Sequence, residues 1–115
     1  MEENFVTFFR KHNLTKGYTD NEINQFVSLL QEITYKAGEI ILKEGQKNDS
    51  FYFLYDGELL VMKYDDVSDN YYLINSMKTG AQFGEMSVIT GESTSAMVKA
   101  KTDCIVLVLS HKNAL

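Results

Sequence analysis

From residue 39 to residue 109 the chain is a series of short apolar runs divided by turn residues, and this texture narrows the possible folds most. The runs are Glu39–Lys43, Phe51–Tyr55, Glu58–Tyr64, Tyr71–Met77, Ser95–Lys101 and Cys104–Leu109, each rich in β-branched, aromatic or leucine residues. Turn residues separate them at Gly45–Asp49, Asp56-Gly57, Asp65–Asn70, Gly91–Ser93 and Thr102-Asp103. Asp56-Gly57 between two apolar runs predicts a tight hairpin. No proline occurs, so the glycines carry the special backbone geometry. Short strands at this spacing predict a mainly β fold: an antiparallel jelly-roll (double-stranded β-helix) β-roll of about eight strands.

The first 34 residues read differently. Phe5, Phe8 and Phe9 recur at i, i+3 and i+4, which predicts an amphipathic helix over 3–12. Thr19-Asp20-Asn21-Glu22 is a capping-box signature. Ile23, Phe26, Val27, Leu30 and Ile33 then mark one face of a second helix over 20–32. The expected organisation is one domain: a helical segment (1–34) packed on a roll (35–110). His111–Leu115 reads as the start of a truncated C-terminal helix.

The composition excludes several classes. The chain has 115 residues, fits one core, and carries a net charge of −5. Sixteen acids face ten scattered lysines and one arginine, Arg10, so direct nucleic-acid binding by this segment is not expected. No run is long enough to span a membrane and the N-terminus lacks a signal-peptide pattern, so a cytoplasmic protein is expected. Cys104 is the sole cysteine and reads as a small core residue. His12 and His111 are isolated, which argues against a metalloenzyme and against a Cys104–His111 catalytic pair. Asp65, Asp66 and Asp69 lack the alternation of a calcium loop. No catalytic residue, metal or obligate cofactor is therefore expected. Within Glu58–Tyr64, Leu59 and Val61 share one face while Leu60 and Met62 share the other. A strand apolar on both sides predicts a cover, from the N-terminal helix or a partner chain.

Residues 80–96 read Gly-Ala-Gln-Phe-Gly-Glu-Met-Ser-Val-Ile-Thr-Gly-Glu-Ser-Thr-Ser-Ala. The run offers backbone N–H groups, the Glu85 carboxylate and a cluster of hydroxyls in a compact loop, suited to a small polar ligand bearing a phosphate or sugar. With it come Lys36-Ala37-Gly38-Glu39-Ile40-Ile41, Lys43-Glu44-Gly45, Asp49-Ser50-Phe51-Tyr52-Phe53-Leu54 and Asp56-Gly57-Glu58-Leu59. In this order, with glycines at 38, 45, 57, 84 and 91, the chain resembles the cyclic nucleotide-binding domain family over residues 15–111. Catabolite activator protein and the regulatory subunits of protein kinase A share that domain.

The resemblance implies a non-enzymatic regulatory domain. It makes Gly84–Ala96 the phosphate-binding cassette and Glu85 the acceptor of a ribose 2′-hydroxyl. It implies ligand contacts from Phe83, Gly84, Glu85, Met86, Ser87, Thr94, Ser95 and Ala96, with Leu59 and Val61 as walls. One departure stands out: the family places a phosphate-binding arginine where this chain has Thr94. A charged hydrogen bond is worth about 1.5–3 kcal/mol, so its loss weakens a phosphate ligand by roughly ten- to several-hundredfold. Lys99 and Lys101 lie further along the strand and read as solvated. Three outcomes stay open: binding of cAMP or cGMP through backbone N–H groups, Glu85 and Ser95; binding of a related nucleoside; or an effector-free interaction scaffold. In the first two the response would pass to a neighbouring output module or partner chain.

Overall fold

The computed structural model describes residues 2–110, with side chains from Phe5 onward. The expected C-terminal helix at 111–115 lies outside the described residues. In chain order the elements are α1 (Glu2–Arg10), a 3-10 turn (Asn13–Thr15), α2 (Asp20–Ser28), β1 (Gln31–Tyr35), β2 (Ile40–Leu42), β3 (Ser50–Asp56) and β4 (Glu58–Asp65). They continue with β5 (Asn70–Lys78), β6 (Gln82–Phe83), α3 (Glu85–Thr90), β7 (Met97–Ala100) and β8 (Cys104–Ser110). The eight strands form two four-stranded sheets, ordered β1-β8-β3-β6 and β2-β7-β4-β5. Every strand pair is antiparallel.

The apolar run of β8 shows why the layers stack as they do. Val106 and Val108 point between the sheets, beside Leu54, Leu59 and Val98. Leu107 and Leu109 point the other way, onto a cluster with Phe9, Ile23, Val27 and Phe53. A strand covered on both faces must be apolar at every position. Phe9 is fully buried at the centre of the outer layer and meets Phe26 and Phe53 edge-on, with ring centroids 5.0 and 5.1 Å apart. Such edge-to-face pairs add about 0.5–1.5 kcal/mol beyond their area burial.

The Thr19 box forms as its sequence predicts. Glu22 N–H donates to Thr19 Oγ1 at 3.2 Å, and Thr19 N–H donates to Glu22 Oε1 at 2.9 Å. The Thr19 backbone bond, and then its hydroxyl, hold the Glu22 carboxyl below its ordinary value. That contribution is present above the unfolded pKa and is lost as pH falls through the folded one. Thr19→Ala is expected to lower stability by about 1 kcal/mol in urea denaturation at neutral pH.

Three local expectations are corrected. Helix α2 stops at Ser28, and Ile33 belongs to β1, opposite Val106. Its i+3 spacing from Leu30 mimics a helical face, but five ladder pairs with β8 outweigh another helical turn. Asp56-Gly57 is not a hairpin, because β3 and β4 lie in different sheets. Gly57 has φ 111° and sits so close to Asp103 that a Cβ would come within 2.8 Å of its carbonyl oxygen. A positive φ serves a corner between layers as well as a hairpin. Finally, the N-terminal helices cover the β1-β8-β3-β6 sheet, not β4. Leu60 and Met62 are half-buried within their own sheet, where β5 and β7 flank them.

Candidate nucleotide-type ligand site

Helix α3 is a single short element bracketed by two left-handed glycines, Gly84 (φ 86°) and Gly91 (φ 74°). The Gly84 corner is fixed by Asn48, whose Nδ2 donates to Gly84 O and to Ser50 O, both at 3.0 Å. Asn48 Oδ1 accepts from Ser50 N–H at 3.1 Å, so one side-chain amide joins the β2–β3 loop to the start of the cassette. Tyr52 stacks on Phe83 with centroids 5.0 Å apart and planes 12° from parallel. Burial, ahead of the nearby Tyr35 and Asp49, raises the Tyr52 hydroxyl pKa.

Between this cassette and the strands lies a cavity of about 230 Å³. It brings together Phe83, Gly84, Glu85, Met86, Ser87, Thr94, Ser95, Ala96 and Val61. Leu59 is not in the lining; it is fully buried beneath, in the core between the sheets. Leu42, Met77, Gln82 and Val98 complete the walls. Leu42, Met77 and Val98 come from strands outside the cassette, whose contact with it is set by register and not by motif, whereas Gln82 lies inside the 80–96 run.

Glu85 carries the decisive electrostatic feature. Among the described residues its Oε2 is the one buried side-chain oxygen or nitrogen without a hydrogen-bond partner. A buried acceptor left unpaired costs about 1–3 kcal/mol, and more when charged. A larger, open groove of about 600 Å³ runs between α1 and the end of β3, past Phe8 and His12. Thr7, Lys11 and Asp56 also line it, His12 Nε2 meets Gly80 O at 3.0 Å, and among the described residues no unpaired buried atom faces it.

Thr94 faces its own fold. Its hydroxyl donates to Lys43 O and accepts from Gln46 N–H at 3.0 Å. Its backbone closes the same loop: Gly45 N–H donates to Thr94 O at 2.8 Å, and Thr94 N–H to Gln46 O at 2.9 Å. The Thr94 side chain is therefore a loop clamp. Of the two lysines weighed from sequence, Lys101 pairs with Glu58 at 3.4 Å. A third lysine, which spacing alone did not single out, reaches the site from β4: Lys63 Nζ donates to Ser95 O at 2.8 Å.

The fold is a β-roll with a glycine-bracketed helix beside a carboxylate-lined cavity. The cyclic nucleotide-binding domain model matches residues 32–115, and the chain belongs to that family. The chain is 26% identical over 109 residues to human cGMP-dependent protein kinase 2, covering 92% of this chain and 14% of the kinase. It is similar in fold to the regulatory domain of Toxoplasma gondii PKA with cAMP: TM-score 0.87, 22% identity, covering 96% of this chain and 42% of that one. It is similar also to the regulatory subunit of a cAMP-independent protein kinase A from Trypanosoma cruzi bound to guanosine: TM-score 0.85, 22% identity, 96% and 39% covered. The chain thus spans less than half the length of each of these relatives. No helix among the described residues is long and apolar enough to cross a membrane.

Proposed function

We propose that this chain is a non-enzymatic sensing domain whose cavity takes a cyclic nucleotide or the related nucleoside. Glu85 accepts the ribose hydroxyl, while the backbone at 84–87 and Ser95 meet the phosphate or its replacing hydroxyl. The carrying observation is the unpartnered Glu85 Oε2, since a hydroxyl donor supplied by a ligand removes its desolvation cost. An effector-free scaffold gives that oxygen no reason to stay buried. The Thr94 hydroxyl is committed to the 43–46 loop, so a phosphate is met by other groups of the site. Guanosine in the T. cruzi protein and cAMP in the T. gondii protein show that this fold holds ligands of both kinds. Ordering of the cassette on binding would bias a neighbouring module through the terminal segments.

The test is ligand-dependent thermal stability of the full chain with cAMP, cGMP, adenosine and guanosine. A ligand present at a hundred times its Kd adds about 2.7 kcal/mol and raises the melting temperature. No shift with any of the four supports the scaffold instead.

Thr94→Arg separates the two halves of the ligand. It is expected to tighten cAMP or cGMP by about tenfold or more while leaving the matching nucleoside within about twofold. The same variant leaves Lys43 O and Gln46 N–H without their partner, so the unliganded melting temperature should fall. Calorimetry and thermal denaturation read the two effects separately. Unchanged or weaker cyclic-nucleotide binding counts against the phosphate placement.

A further inference from the structure

Strand β4 runs past the cavity in continuous register with β7 from Leu59 to Met62, while its ladder with β5 shifts between Val61 and Met62. Leu59 is in the inter-sheet core, Val61 lines the cavity opposite Val98, and Lys63 is the next residue on that face. The last β4–β7 pair is Met62 with Met97, so Lys63 lies level with Ala96, itself a lining residue. Its ammonium is fixed at the rim by the bond to Ser95 O at 2.8 Å. An ammonium has three N–H donors, and this contact uses one. Ion pairs among the described residues join Arg10 to Asp20 and Lys101 to Glu58; Lys63 is in neither. Glu44 Oε1 accepts from Tyr64 N–H, the residue after Lys63, at 2.8 Å.

The surrounding field makes this one cation consequential. The chain carries a net charge of −5, and Glu85 places a carboxylate in the same cavity. An anionic ligand approaching such a site meets repulsion unless a local positive charge offsets it. The cavity therefore has the Glu85 carboxylate in its lining and, outside that lining, an ammonium bonded to the carbonyl of the lining residue Ser95. That pattern matches a ligand with a sugar hydroxyl at one end and a single negative charge at the other.

We propose that Lys63 is the specificity-determining residue of the site: it reaches across from β4 to the phosphate of a cyclic nucleotide and favours it over the neutral nucleoside. This rests on the nucleotide-type reading of the cavity above. Binding would draw one of the ammonium's remaining donors onto a phosphate oxygen while Ser95 O keeps another.

The experiment is calorimetry of the full chain with cAMP against adenosine and cGMP against guanosine, in wild type, Lys63→Met and Lys63→Arg. Lys63→Met is expected to weaken the cyclic nucleotide about tenfold and the nucleoside by less than about twofold. Lys63→Arg, which keeps the charge, should restore the preference. Added salt should weaken cyclic-nucleotide binding to wild type and have little effect on the Met variant. If wild type binds these ligands and Lys63→Met leaves the ratio unchanged, the Lys63 role is overturned and the site reading stands. Wild type that binds nucleosides but neither cyclic nucleotide also overturns it. Silence from wild type with all four ligands overturns both.

Discussion

Glu85→Leu is expected to weaken nucleoside and cyclic-nucleotide binding by between about ten- and a hundredfold while stabilising the unliganded protein. The affinity loss follows from removing a charged acceptor, worth about 1.5–3 kcal/mol to a hydroxyl partner. The stability gain follows from the same atom: Oε2 is buried without a partner, and replacing it with carbon removes an uncompensated desolvation cost. A gain of about 1 kcal/mol would raise the melting temperature by about 4–8 °C in a domain of this size. Glutamates kept only for structure behave oppositely, losing stability when replaced. The pair of measurements, calorimetry and thermal denaturation, therefore separates a ligand acceptor from a structural cap. A variant that melts lower and binds normally would assign Glu85 to the scaffold.

Gly84→Ala should give the largest loss of stability among single substitutions in the cassette. Position 84 has φ 86°, where a side chain is strained by about 1–3 kcal/mol. The added Cβ would also lie 2.9 Å from Ser50 O and 2.9 Å from Tyr52 Cδ2. The Ser50 carbonyl is backbone in β3 and cannot swing away. A loss of about 2–3 kcal/mol in urea denaturation is expected, with weakened ligand binding because the Asn48 tie and the Glu85 corner move together. Gly91→Ala is the control. Its φ is 74°, but nothing stands within 4 Å of the added Cβ, so backbone strain alone should cost about 1 kcal/mol. Equal losses at the two positions would mean that the close packing at Gly84 carries no energy.

What the sequence disclosed follows the range of the forces involved. The apolar run Cys104–Leu109, the Thr19-Glu22 box and the Phe83-Gly84-Glu85 turn are local patterns, and each forms at its expected place. Strand β1 was missed because Ile33 continues the helical spacing of Leu30, and β6 because two residues carry no periodicity. They exist because β8 and β3 offer them open ladders. Asp56-Gly57 signalled a positive φ correctly but left open whether the chain reverses within a sheet or crosses to the other. In the site, the contributing segment was legible and the direction of its groups was not. Thr94 turns its hydroxyl to a loop about fifty residues earlier, and Asn48 reaches Gly84 across 36 residues. Lys63 meets Ser95 only because β4 and β7 are paired. Such contacts depend on strand register, which no motif encodes.

The role proposed for the Glu85 carboxylate is to accept a ribose hydroxyl. Calorimetric titration of the full chain with each of adenosine and guanosine, beside its 2′-deoxy counterpart, measures that contact alone. At least one ribonucleoside should bind saturably and its deoxy form at least about tenfold more weakly, a gap that should close in the Glu85→Leu variant. Equal affinity for ribose and deoxyribose forms, or no heat from any of them, would contradict the account.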